Sequence, residues 1–242
     1  WSETLTINTL EDMNDNFLHR VEAVVQQFAE EGLAGNTIAF RVKPLRAFFR
    51  WCTGHGYLRQ DPIQNLGRVN QTPERERRAM TAEEIERLFA VAPSWRRLAY
   101  AVALTTGLRL SELRRLDKED LDIENSRLRL RWKQTKNKKG GYSYLPRKLT
   151  QAVAAFADLG SPQHLYARAR TLRVLPENPL LFIPSHMLRR FDLDLVKANI
   201  PKDSTGGRLD FHALRVAAIS LGLEAGASPK ELQVFSRHAD PR

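Results

Sequence analysis

The sequence carries one cysteine, Cys52, in 242 residues. A lone thiol rules out an internal disulfide framework and a cysteine-rich metal site, and it points to a reducing, cytoplasmic setting. There is no apolar run long enough to span a bilayer and no visible signal peptide. Negative charge is in short supply: 28 Asp+Glu stand against 38 Lys+Arg, a formal net charge of +10. An initiating methionine is missing too. The chain opens on Trp1, and further sequence is expected upstream of it.

What is present is a soluble globular balance, 42 % hydrophobic and 27 % charged, in a chain long enough for two modest domains. The charge is unevenly spread. Residues 1–72 hold 7 Lys+Arg against 8 Asp+Glu, so the remainder holds 31 against 20. A basic region of that size suits a polyanion, with nucleic acid ahead of an anionic membrane surface because no basic amphipathic helix with a broad apolar face stands out.

Residues 9–31 carry Leu10, Met13, Phe17, Val21, Val24, Val25 and Phe28 near one helical face, closed by Gly32. A second helix is expected from Asn36 or Thr37 toward Cys52 or His55, with Pro44 kinking or splitting it. The aromatic cluster Phe48, Phe49 and Trp51 reads as core packing on helical spacing, ahead of a base-stacking platform. Residues 1–70 thus form a compact all-helical unit, and 71–79, around Pro73 and the charge run Glu74 to Arg78, form a linker. Thr81-Ala82-Glu83-Glu84 reads as a capping box that opens a domain over 80–242.

Within that domain, residues 95–106 have helical periodicity, and Gly107 fits the left-handed end of the helix. Ser111 is the expected cap of a following helix that begins at Glu112. Arg109 falls in the joint, where a guanidinium beside a helix start suits a fixed oxyanion. Leu128, Leu130 and Trp132 alternate with Arg127, Arg129 and Arg131, a strand with one polar face. A turn crowded by Lys133, Lys136, Lys138 and Lys139 leads to a return strand at Tyr142, Tyr144 and Pro146. Residues 148–199 read as mainly helical, with Leu180-Leu181-Phe182 as a short buried segment. Thr205 to Arg208 reads as a flexible turn. Asp210 caps a helix over 211–225, which puts His212 and Arg215 on one side, three residues apart. Ser228-Pro229-Lys230-Glu231 opens a last short helix. The fold class expected is mainly α with a small antiparallel sheet.

Taken in order, the Gly-Leu-Arg-x-Ser-Glu-Leu joint, the hairpin lysine, His212-x-x-Arg215 and a histidine 23 residues further on, His238, resemble the tyrosine recombinase or phage integrase family. The resemblance covers 80–242, and the unit 1–70 is similar to that family's core-binding domain. After Arg215 this chain has Val216-Ala217 where the family usually shows His-Thr, and before His238 it has Ser236-Arg237 where Leu-Gly is common.

The resemblance implies a site-specific recombinase that cleaves and rejoins DNA through a 3′-phosphotyrosine. Arg109 and Arg215 would clamp the scissile phosphate, and Lys136 would protonate the leaving 5′ oxygen, with Lys133 and Lys138 as competing assignments. His212 would handle a proton at the attacking oxygen, His238 would donate to the phosphate, and Glu112 would orient its neighbours. It implies no metal and no nucleotide cofactor, double-stranded DNA as partner, and a homo-oligomer, a tetramer on paired sites. The nucleophilic tyrosine is expected beyond Arg242, in a helix announced by Asp240-Pro241, so that this chain alone binds DNA without cleaving it. Tyr142, Tyr144 and Tyr166 lie in the wrong places for that role. The alternatives weighed are a non-catalytic DNA-binding protein with the recombinase fold and a nicking-closing enzyme like the type IB topoisomerases.

Overall fold

The computed structural model describes residues 1–5, 9, 12–13, 16–72, 76–132, 140–169 and 176–236. The chain divides into two compact units, Trp1–Arg75 and Glu76–Arg242.

The first unit contains α1 (Ser2–Leu5), α2 (Phe17–Glu30) and α3 (Gly35–Gly54). In α2 the buried side chains are Phe17, Val21 and Val24, and in α3 they are Ile38, Val42, Leu45, Phe49 and Cys52. These steps of three and four place one stripe on each helix, and the stripes meet with Ile63 and Leu66 in a single core. Gly32, at φ +77°, ends the first long helix where the sequence places the stop.

Three details depart from the sequence expectation. The first long helix begins at Phe17 and not near residue 9. The stretch before it is rich in Asp and Asn, whose side chains compete with helical backbone bonds, and the Asp12 carboxylate accepts from the Thr9 amide at 2.8 Å. Pro44 does not split α3, whose buried stripe continues across it. In the aromatic cluster only Phe49 is core; Phe48 and Trp51 are 45 % and 50 % exposed. Trp51 stacks on His55 and Tyr57, with ring centroids 4.5 and 5.3 Å away.

The second unit opens with a tightly held segment. Thr81 and Glu84 form the expected capping box on α4 (Ala82–Val91), and Arg78 donates to both Glu84 oxygens at 2.7 Å. Then come α5 (Ser94–Thr106), α6 (Leu110–Leu113) and a three-stranded antiparallel sheet of β1 (Leu121–Asp122), β2 (Arg127–Leu130) and β3 (Gly141–Tyr144), with Leu128 opposite Ser143. Leu128 and Leu130 are buried as the alternation requires, whereas Trp132 lies past the end of β2 and is exposed. Beyond the sheet come α7 (Arg147–Asp158), α8 (Ser161–Ala169) and α9 (Met187–Lys197). The stretch expected as a flexible turn is a small hairpin, β4 (Asp203–Ser204) with β5 (Gly207–Arg208). Finally come α10 (Ala213–Glu224) and α11 (Pro229–Ser236). One large core unites α4, α5, α7, α9 and α10 with the inner face of the sheet and the Leu180–Ile183 segment.

An ion pair lies inside this core. Asp194 of α9 is fully buried and accepts from Arg96 Nε at 2.6 Å, Arg96 Nη2 at 2.8 Å and the Tyr100 hydroxyl at 2.8 Å. Both donors sit on α5, one turn apart, so the carboxylate ties α9 to the helix that leads into the Arg109 joint. Burial and the neighbouring carboxylate push the Tyr100 hydroxyl well above its ordinary range.

Candidate active site

The joint forms because α5 ends on Gly107. Its φ is +60°, and an added Cβ would stand 3.1 Å from the Phe235 ring of α11. Both the backbone conformation and the close approach call for glycine. Arg109 follows in extended conformation as the cap of α6. Here the sequence expectation is corrected: Ser111 is not the cap, because the helix has already started at Leu110. The cap is closed by Glu112, whose carboxylate accepts from the Arg109 amide at 2.8 Å and from its Nη1 at 3.3 Å. Glu112 is buried, while the Arg109 side chain keeps 26 % of its surface open to solvent. The pair aims a cation outward from a rigid base.

Arg215, on the first turn of α10, is 2 % exposed. Its Nη1 donates to the Gly107 carbonyl and its Nη2 to the Ser236 carbonyl. One guanidinium thus ties together the joint, α10 and the last residue of α11. The hairpin is tied to the same joint through Ser143 on β3, whose hydroxyl donates to the Thr106 carbonyl at 3.5 Å.

His212 lies one residue before α10, which starts at Ala213 and not at Phe211 as the sequence suggested. The reason is Asp210: its Oδ1 accepts the His212 amide at 2.8 Å, and this turn occupies the positions expected to be helical. The His212 carbonyl accepts from the Arg215 amide at 3.0 Å, so the two remain neighbours. His212 is half-buried, and its pKa lies below the ordinary 6.5. Burial is the main cause, helped by the Arg215, Arg77 and Arg109 charges and opposed by Asp210.

The structure therefore brings Arg109, Glu112, His212 and Arg215 around one joint. Lys133, Lys136, Lys138 and His238 lie outside the described residues. Sequence reasoning missed Arg77, whose Nε donates to Asp210 Oδ2 at 2.9 Å across 133 positions, a separation that leaves no local signal. Of the tyrosines weighed as nucleophiles, Tyr142 and Tyr144 are exposed, and Arg127 lies over the Tyr142 ring at 4.1 Å. Tyr166 is buried and accepts from the Ile183 amide at 2.7 Å, and burial pushes its hydroxyl up to about 12. It packs as a core residue. Among the described residues, no helix is long and apolar enough to cross a membrane.

Residues 78–242 match the phage integrase family. Tyrosine recombinase XerD of Caulobacter vibrioides is 28 % identical over 246 residues, covering 95 % of this chain and 75 % of that protein. Tyrosine recombinase XerA of Thermococcus onnurineus is 24 % identical over 213 residues, 87 % of this chain and 69 % of the relative. Among solved structures, a lambda integrase dimer bound to a COC′ core site superposes with a TM-score of 0.72 at 17 % identity, covering 98 % of this chain and 80 % of that one. The Tn1549 transposon integrase in complex with transposon right end DNA gives 0.62 at 19 % identity, over 93 % of this chain and 78 % of that chain. At these identities the structural likeness speaks for the fold.

Proposed function

The chain belongs to the phage integrase family of tyrosine recombinases, and from that premise we propose that its second unit supports cleavage and rejoining of double-stranded DNA through a 3′-phosphotyrosine. The observation that carries this reading is the Arg215 contact with the Gly107 carbonyl. It ties the second arginine to the joint that presents the first, two residues before Arg109. Arg109, partly open to solvent, suits a non-bridging oxygen of a phosphodiester, and Arg215, buried on the same base, adds positive charge against the charge that builds there as the tyrosine attacks. Glu112 orients Arg109. His212, kept neutral by burial and nearby cations, takes the proton of the attacking hydroxyl. Lys136 protonates the leaving 5′ oxygen, and His238 donates to the phosphate. The attacking tyrosine joins the 3′ phosphate as the 5′ oxygen leaves, and the reverse attack by a 5′ hydroxyl restores the strand, so the bond energy is conserved.

We assign residues 1–70 to a core-binding domain and the second unit, from Glu76 on, to the catalytic domain; of the linker expected over 71–79, residues 76–79 go with the second unit, to which Glu76 and Arg78 are hydrogen-bonded. The recombinase acts as a tetramer on paired DNA sites, in the cytoplasm, where Cys52 stays reduced. DNA-bound dimers and tetramers among the fold relatives support the assembly.

Two expected outcomes test this reading. A neutral imidazole accepts a proton, and His212 stays neutral to below its ordinary value of 6.5. The rate of covalent complex formation should therefore hold through pH 6.5 and fall only at lower pH, and His212→Gln should remove that acidic limb. A limb centred above 6.5 would take His212 out of the proton transfer. In limited proteolysis without DNA, the first cuts should fall between residues 67 and 75. Beyond them the backbone is held: Arg208 and Glu76 pair, and Arg78 grips Glu84. First cuts inside 95–130 would contradict the boundary.

A further inference from the structure

The first residues of the second unit are laced into it. Glu76–Arg78 runs parallel to β5, with Arg77 opposite Arg208. The Arg208 amide donates to the Glu76 carbonyl at 2.8 Å, and the Arg78 amide donates to the Arg208 carbonyl at 3.3 Å. Gly207 permits the approach: its φ is +119°, and a Cβ there would stand 2.5 Å from the Glu76 oxygen. Two residues beyond Arg208 comes Asp210, whose carboxylate faces two ways. Oδ2 accepts from Arg77 Nε at 2.9 Å, and Oδ1 accepts the His212 amide at 2.8 Å. A capping turn needs only the second of these contacts. The first is a pair whose arginine is 62 % exposed, and such pairs add little to folding stability. Its effect is on where the Asp210 carboxylate points.

We propose that Arg77 and Asp210 are positioning residues for His212: the segment by which the chain runs into the second unit sets the backbone and the charge around the imidazole. This rests on the reading of His212 as the proton acceptor in cleavage. The charges that bear most on the imidazole come from every side: Arg215 on α10, Arg109 at the joint, Asp210 in its own turn and Arg77 on the incoming segment. Asp210 favours the protonated ring, whereas Arg77, Arg109 and Arg215 oppose it. Removing Arg77 and removing Asp210 therefore act on His212 with opposite signs. Simple loosening of the turn would expose the ring and move it the same way in both variants.

The test uses the full chain with isotopically labelled histidines, titrated by NMR as wild type, Arg77→Gln, Asp210→Asn and Arg77→Lys. The His212 midpoint should rise in Arg77→Gln, fall in Asp210→Asn and return toward wild type in Arg77→Lys. In single-turnover cleavage of a nicked substrate by the enzyme from its whole reading frame, Asp210→Asn should be slower by roughly tenfold at neutral pH with DNA binding retained, a part of what a well-placed proton acceptor supplies. A His212 midpoint that does not move, or moves the same way in Arg77→Gln and Asp210→Asn, overturns the proposal. His212→Gln separates the two readings. If it cleaves at the wild-type rate while the opposite NMR shifts appear, the positioning stands and the proton-acceptor reading falls. If it is slow while the NMR midpoints do not respond, the positioning falls alone.

Discussion

Arg109→Ala and Arg215→Ala should each abolish detectable DNA cleavage by the enzyme expressed from its whole reading frame, while binding to a long DNA site falls only modestly. The two effects separate because they draw on different contacts. Binding is the sum of many phosphate contacts spread over a unit rich in Lys and Arg, and losing one of them lowers the salt dependence by about one counterion. Cleavage depends on charge developing at a single phosphate, where one oriented donor is worth about 10²–10³-fold. The variants should differ in stability. Arg109 is partly open to solvent, and its loss takes the guanidinium from the buried Glu112 carboxylate while the Arg109 backbone amide still donates to it, so the alanine variant should be destabilised but still fold. Arg215 is buried and holds the Gly107 and Ser236 carbonyls, so its loss also slackens the packing of α11 on the joint. Arg215→Lys keeps the charge without the planar fork and should remain far below wild type. Wild-type cleavage by both alanine variants would remove these arginines from the site.

Asp194→Ala should destabilise the fold by about 3–5 kcal/mol in urea unfolding, because it leaves the Arg96 guanidinium buried without its counter-charge. Arg96 is 6 % exposed and Asp194 fully buried, so water cannot take over the interaction. The Tyr100 hydroxyl loses its acceptor at the same time. Replacing both charges, as Arg96→Met with Asp194→Leu, should recover much of the loss, since packed apolar side chains substitute well for a buried pair. Tyr100 also packs against Phe191 and Phe211, and Phe211 adjoins His212, so the single variant should lose cleavage before it fully unfolds. A cost below about 1 kcal/mol would show that water reaches Arg96.

The parts of this fold that could be read in the sequence are those whose cause lies within a few residues. Gly107 ends a helix because of its own backbone freedom, and Thr81 with Glu84 caps a helix by a contact three residues long. On α3, Pro44 reads locally as a kink or a split, yet the buried stripe runs across it, and of Phe48, Phe49 and Trp51 only Phe49 joins that stripe. The parts that could not be read are set by distant partners. Nothing near Asp194 distinguishes it from a surface aspartate until α5 supplies Arg96, 98 positions away. Arg77 looks like linker charge until β5 brings Asp210 beside it. Ser111 resembles a cap for α6, but the Glu112 carboxylate folds back to the Arg109 amide and begins the helix earlier. At the site, the sequence pattern nominated Arg109, His212 and Arg215, and the structure shows what joins them: the Arg215 contact with Gly107 and the backbone bond between His212 and Arg215.

The central claim is that this chain's arginine joint serves covalent strand transfer by a tyrosine. The most direct measurement is covalent capture. The enzyme from the whole reading frame is incubated, with a chelator present, on its DNA site carrying a nick that traps the cleaved strand, and the products are separated in SDS. The expected result is a protein–DNA band that survives denaturation, joined through a tyrosine to the 3′ phosphate and absent in Arg109→Ala. A strand break that leaves no protein on the DNA, or a band that persists in Arg109→Ala, would contradict it.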